Sequence, residues 1–405
     1  MREQDLATED RGRVRTLRAD VSQWAGVPPG SVTIVRSPYR ACPLGAHVDH
    51  QLGEVTGMAL DRALLLAFAP RTEGSVLVRS RQFPGVAEFD LGSVPPSPVG
   101  DWADYARGAA CVLTRTAPLT RGLAAVVDGY DDVAGLSSSA AAGVAYLLAL
   151  EAANGLSLSA DENIELDRAL ENDYIGLNNG ILDQSSILLG RRGQLMHLDC
   201  RTGRSRLLPF GGEEEFTFAV LFSGLRAPLH GSEYNRRVSE CREAARLLLT
   251  EAGLPSPEEP VLRDVPVDAY EGCADRLPEP LRRRAAHFFG EQQRVRRGVE
   301  LWQRGDLEGL GRLMDESGRS SVENYECGNA HLRAACRALR ECPGVYGARF
   351  SGAGFRGCSV ALTRKDCEPA VADRALASYL ASHPEMEGRA SLYFCETSDG
   401  AAVLE

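Results

Sequence analysis

The chain has 405 residues, 44% of them hydrophobic and 25% charged, which is ordinary globular usage and excludes a fibrous or wholly disordered polymer. Its formal charge of −11 argues against sequence-independent nucleic-acid binding, which depends on clustered lysine and arginine. An anionic ligand must therefore be held by a local site. The charged start at Met1-Arg-Glu-Gln lacks the apolar region of a secretory signal, and no apolar run reaches membrane-spanning length. Eleven cysteines without a Cys-x-x-Cys pair suit a reducing compartment, so a cytoplasmic protein is expected, with no nucleic-acid or membrane partner.

Short apolar or alternating runs predict strands over 32–36, 63–69, 75–80 and 122–128. Pro70 to Gly74 reads as a hairpin turn between the middle two, and 95–98 as a loop. One helix should open at serines 137–139 and stop at Asn154-Gly155. The next carries a capping box, Ser159 with Glu162, and should end near Gly176. The polar stretch 203–215 reads as a separator, which divides the chain into domains over 1–205 and 206–405. Beyond it, 216–222, 345–350 and 358–362 read as strands and 233–252 as a helix. The arginine-rich stretch 281–304 reads as a solvated helix face. The expected class is α+β.

Three segments carry chemistry. Ser37-Pro-Tyr-Arg-Ala-Cys-Pro-Leu-Gly-Ala-His-Val-Asp-His50 crowds charged and imidazole groups into a stretch that Pro38, Pro43 and Gly45 keep out of a helix interior. Its residue types suit sugar hydroxyls, metal ligation or loop structure. Gly135-Leu-Ser-Ser-Ser-Ala-Ala141 opens an apolar helix, where backbone N–H groups can bind phosphate or a serine can simply cap. It is neither a Walker A loop nor a Gly-x-Ser-x-Gly elbow. Ser351-Gly-Ala-Gly-Phe-Arg-Gly357 matches Gly-x-Gly-x-x-Gly but leads into a strand, so a close backbone approach is the better reading.

In this order and spacing the three segments resemble the motifs of the GHMP small-molecule kinases, and among these the galactokinase-like members. Trp102 to Gly108, Asn179 to Gln184 and Ser232 to Arg237 extend the resemblance across residues 30 to 365. It implies a two-domain fold: an N-terminal domain similar to ribosomal protein S5 domain 2 and a ferredoxin-like C-terminal domain, with the active site between them. It also implies ATP and Mg2+ as cofactors, a sugar as the small-molecule partner, and a monomer or weak homo-oligomer.

By the same resemblance Asp183 is the base for the sugar's C1 hydroxyl, and Arg40 leans on Asp183 and the phosphoryl group. His47 and Asp49 hold ring hydroxyls. Gly135, Leu136, Ser137, Ser138, Ser139 and Ala140 wrap the triphosphate, while Ser139 and Glu171 serve magnesium. Gly352 and Gly354 support the phosphate loop. Cys42 and Arg356 receive no role.

Galactokinases place a glutamate, serving the C6 hydroxyl, where this chain has Ala46. Such a glutamate about 4 Å from a C6 carboxylate would repel it by up to roughly 4 kcal/mol at an effective dielectric near 20. Alanine removes that rejection, which points to the acidic sugar D-galacturonate as acceptor. Galactose, arabinose and fucose remain open, as does a non-catalytic sugar sensor. Tyr234 and then Arg226 are the expected grips on the carboxylate.

Overall fold

A computed structural model describes residues 3, 6, 8–225 and 231–404. Helix α1 (Thr8–Ala25) precedes β1 (Thr33–Ala41) and the long β2 (Glu54–Pro70). Next come the pair β3 (Ser75–Ser80) and β4 (Val86–Asp90), α2 (Asp104–Leu113) and β5 (Leu123–Asp128). Then follow α3 (Ser138–Asn154), α4 (Ala160–Ala169), α5 (Leu182–Leu189), β6 (Gln194–Asp199) and β7 (Arg204–Pro209). The second half runs β8 (Phe216–Phe222), α6 (Gly231–Glu251), α7 (Val267–Cys273), α8 (Glu279–Gln303), α9 (Leu307–Glu323) and α10 (Ala330–Arg340). It closes with β9 (Val345–Phe350), β10 (Cys358–Arg364), α11 (Glu368–Ser382), β11 (Ser391–Cys395) and β12 (Ala402–Val403). The content is α+β, as expected.

Among the described residues the first sheet runs β12-β1-β2-β5-β3-β4, with β6 joined to the far end of β2 and β7 to β6. The hairpin expected at Pro70–Gly74 does not form, because β5 inserts between β2 and β3 and pairs with β3 in parallel. Helix α3 is apolar on nearly every side, with Ala140, Ala141, Val144, Leu147 and Leu150 buried, so it is the inner helix of its layer. Helix α1, which the sequence reading missed, covers the opposite face through Val14, Leu17 and Val21 against Ile34, Leu65 and Val126.

The second sheet is antiparallel in the order β11-β8-β10-β9, the ferredoxin-like arrangement. Strands 75–80, 216–222 and 345–350 fall where the sequence places them. The stretch expected to be a polar separator instead contains β7, paired with β6 of the first sheet. The division at residue 205 thus falls inside that strand, and β12 returns from the chain's end to pair with β1.

The arginine-rich stretch is α8, and its outer face is solvated as expected at Arg296 and Arg297. Arg284 departs from this reading. It is 0% exposed and bonds Glu240 and Glu326 across helices. The inner stripe of α8 also carries His287 and Glu291, and these two polar groups hold the site loop.

Candidate active site

Strand β1 continues past Arg36 through Pro38 and shifts register between Pro38 and Arg40, so Arg40 lies on a strand end rather than in the loop expected there. The bulge turns Arg40 inward. Its Nε donates to Asp183 Oδ1 at 2.7 Å, and its Nη1 donates to the Gly135 carbonyl at 3.1 Å and to Ser351 Oγ at 3.2 Å. One guanidinium therefore joins all three motif regions. Burial alone would pull its pKa down, but the Asp183 charge and hydrogen bond outweigh that and raise it.

Asp183 sits in the first turn of α5 and accepts from Arg40 on one oxygen and from the Ser137 hydroxyl on the other. Ser137 thus does not cap α3. It occupies the left-handed region (φ 59°) with no side-chain cap bond, so no side chain caps the first-turn N–H groups from Ser138 to Ala140. That removes the bland capping alternative for this serine. The close backbone approach expected of the glycine turn is present: a Cβ on Gly352 would meet Gly135 Cα at 2.9 Å, and one on Gly357 would meet the Ala134 carbonyl at 2.0 Å.

Residues 42–50 form the opposite wall. The Gly45 N–H donates to Glu291 Oε1 at 2.7 Å, and the Ala46 carbonyl accepts from His287 Nε2 at 2.9 Å. Ser317 Oγ and Arg294 Nε complete Glu291 at 2.6 and 2.7 Å. Although burial would raise it, Arg294, His287, Arg349 and Ser317 bring the Glu291 carboxyl to about 2. His47 (φ 60°) stacks on Tyr325 at 4.4 Å between centroids, with Cys327 Sγ 3.4 Å from its Nε2. Burial, with the charges of His287 and Arg349, keeps its imidazole neutral.

Asp49 Oδ2 accepts from the Gly180 N–H at 3.2 Å. Burial and the Asp183 charge push the Asp49 carboxyl up to about 6. Burial also holds Cys42 as a neutral thiol, up to about 12, with its Sγ donating to the Leu44 carbonyl at 3.3 Å.

Glu171 lies in a π-helical turn (Leu170–Ile175) that continues α4, which the sequence reading took as ordinary helix. It accepts from Tyr105 Oη at 3.2 Å and from Asn179 Nδ2. Burial and the Asp183 charge raise its carboxyl, and Asp167 one turn back is buried with both oxygens unpartnered. The hydroxyl of Ser139 faces Glu171 and Tyr105.

These groups line one cleft of about 1050 Å³, which holds Arg40, Cys42, Ala46, His47, Asp49, Gly135, Ser137 to Ser139, Glu171, Asp183 and Tyr234. Leu136 and Ala140 sit behind it, fully buried. Arg226 lies outside the described residues. Gly352 and Arg356 line the far wall, Arg356 with an unpartnered Nε. The sequence reading missed His287, Glu291, Tyr325 and Arg349, because their relevance comes from contacts across the fold. At the cleft mouth Phe83 and Trp102 stack with parallel rings 6.1 Å apart.

The serine-lined start of α3, the arginine-clamped Asp183 and the wall of Ala46, His47 and Asp49 bring the three motif segments to one cleft, and the match to known proteins gives the class: a GHMP-type small-molecule kinase. The GHMP kinases N terminal domain matches residues 104–191 and the GHMP kinases C terminal domain residues 299–381, and the chain belongs to this family. It is therefore a phosphotransferase that uses ATP. The galacturonokinase of Arabidopsis thaliana is 44% identical over 96% of this chain and 98% of that protein. The galactokinase of Roseiflexus sp. is 33% identical over 95% of both. In structure, Lactococcus lactis galactokinase complexed with galactose superposes with a TM-score of 0.85 at 28% identity, covering 95% of this chain and 98% of that one. A sugar kinase is the shared reading. No helix among the described residues is long and apolar enough to cross a membrane.

Proposed function

We propose that the chain transfers the γ-phosphoryl group of ATP to the anomeric C1 hydroxyl of D-galacturonate, giving galacturonate 1-phosphate and ADP. The observation that carries the acidic sugar is Ala46: a methyl group lines the cleft where galactokinases carry a carboxylate. The 44% identity to a galacturonokinase, against 33% to a galactokinase, supports it.

Asp183 accepts the C1 proton as the hydroxyl attacks, and Arg40 offsets charge developing on the phosphoryl group. Ser137 fixes the second Asp183 oxygen, so the base is oriented before substrate arrives. Asp49 accepts from ring hydroxyls, and neutral His47 donates or accepts beside it. The open N–H groups from Ser138 to Ala140 bind the phosphates, and the paired rings of Phe83 and Trp102 offer a stacking surface for the base. Ser139 and Glu171 are hard oxygen donors suited to Mg2+, and a cation there would favour the ionised form of Glu171, whose carboxyl burial and the Asp183 charge otherwise raise. Held by these residues, the ion would supply positive charge that offsets the charge of the phosphates.

Sugar-dependent ADP release tests the reading. Galacturonate should drive it and yield an anomeric phosphate by 31P NMR. Absence of ADP release with every sugar tried would instead mark a non-catalytic sensor, and the proposal would fail.

The Asp49 carboxyl titrates near pH 6, so it is ionised above that and protonated below. A protonated carboxyl loses acceptor capacity for the ring hydroxyls. Calorimetric Kd for the sugar should therefore be flat above pH 7 and rise about tenfold per unit below pH 6. Asp49→Asn should bind more weakly and lose this dependence. A Kd unchanged between pH 7 and pH 5 would remove the assignment.

A further inference from the structure

Two arginines of the cleft, Arg349 and Arg356, have no place in the mechanism, and of the two Arg349 is the buried one. Arg349, on β9, is 2% exposed and lines the same cavity as Ala46, Cys42 and His47. Its Nε donates to the Phe350 carbonyl at 3.3 Å. Its Nη1 is buried without a partner among the described residues. Glu291, the carboxylate that feels the Arg349 charge, has both oxygens engaged, by Gly45 and Ser317 on one and Arg294 on the other. Burying a guanidinium with an unused N–H is costly, and an incoming anion would relieve that cost.

Placement points to the kind of anion. Cys42, His47, His287 and Cys327 all register the Arg349 charge, and His287 holds the carbonyl of Ala46. Arg349 therefore stands beside the loop segment whose alanine opens space at the sugar's C6. Tyr234 faces a different field. Burial and then the charges of Asp49, Asp183 and Glu171 raise the Tyr234 phenol, a field unfavourable to a further negative group. Arg349 lines the same cavity as Ala46, with its Nη1 still without a partner among the described residues.

We propose that Arg349 determines acceptor specificity, donating from its unpartnered Nη1 to the C6 carboxylate of the uronic acid in the space left by Ala46. This assignment rests on the galacturonate reading. A guanidinium is suited to carboxylate recognition by its fork of donors, which a lysine reproduces only in charge.

The test is steady-state kinetics of Arg349→Gln and Arg349→Lys on galacturonate and on galactose, its neutral counterpart at C6. For Arg349→Gln, KM for galacturonate should rise about 30- to 100-fold, kcat should stay within about threefold, and KM for galactose should barely move. Arg349→Lys should recover part of the loss. Equal losses on both sugars would show a merely structural role and overturn the proposal. So would acid preference that survives Arg349→Gln, which leaves the substrate reading standing. An unmodified chain that prefers galactose would remove both. Should neither variant fold, a crystal structure of the unmodified chain with galacturonate decides: a carboxylate oxygen within hydrogen-bond distance of Arg349 sustains the proposal, and one more than about 5 Å away overturns it.

Discussion

Replacing Asp183 by alanine should lower kcat by about 10³-fold or more while galacturonate still binds with nearly unchanged Kd. The expectation follows from how the carboxylate is held. Arg40, clamped by Gly135 and Ser351, fixes one oxygen, and Ser137 fixes the other. Such a group is held in one orientation, and it lies where the start of α3, assigned to the phosphates, meets the wall of His47 and Asp49. Sugar binding is assigned to Asp49 and His47, which the substitution leaves in place. Asp183→Asn separates charge from shape, because the amide can still accept from Arg40 but is too weak a base to take the C1 proton. Rapid-quench measurement of the chemical step, with calorimetry for binding, distinguishes the two effects. A variant retaining more than a tenth of wild-type kcat would show that the hydroxyl loses its proton without this carboxylate.

Ala46→Glu should produce the second large effect. The new carboxylate would stand in the cleft wall beside His287 and within the field of Arg349. Against galacturonate it acts twice, repelling the C6 carboxylate and pairing with the guanidinium assigned to receive it. The repulsion alone is roughly 4 kcal/mol at about 4 Å and an effective dielectric near 20. On that scale kcat/KM for galacturonate should fall about a thousandfold. Galactose should lose far less, since its C6 hydroxyl can donate to the new carboxylate. The ratio of the two kcat/KM values carries the information, because a general packing defect moves both sugars together. An unchanged ratio would mean that position 46 does not face C6.

The legible parts of the fold were those written in local pattern. Strands at 75–80, 216–222 and 345–350 showed bounded apolar runs, and α3 was marked by its serines and its Asn154-Gly155 stop. Helix α1 was hidden because three inward residues, Val14, Leu17 and Val21, sit among dense charge. The insertion of β5 between β2 and β3, and the return of β12 to β1, are pairings between distant segments that no turn signal announces.

The site divides the same way. Arg40, His47, Asp49, the serine loop and Asp183 were found because motifs concentrate them, and the fold brings Arg40 to Asp183 across 143 positions. His287 and Glu291 were missed because α8 reads as an arginine-rich surface helix, its inner stripe visible only once the loop 42–50 packs on it. Arg349 gave one faint signal: a charged residue inside a strand whose neighbours 347–350 are all buried. β9 is the edge strand of its sheet, where a charged residue is ordinary, and only the folded chain shows that the Arg349 Nη1 is buried without a partner among the described residues.

The account stands or falls on what the cleft accepts at C6. Steady-state kinetics of the unmodified chain with galacturonate and galactose, which differ only there, measures it directly. The account predicts kcat/KM roughly 30- to 100-fold higher for the acid, on the scale of one charged hydrogen bond. Equal values, or a preference for galactose, would contradict it.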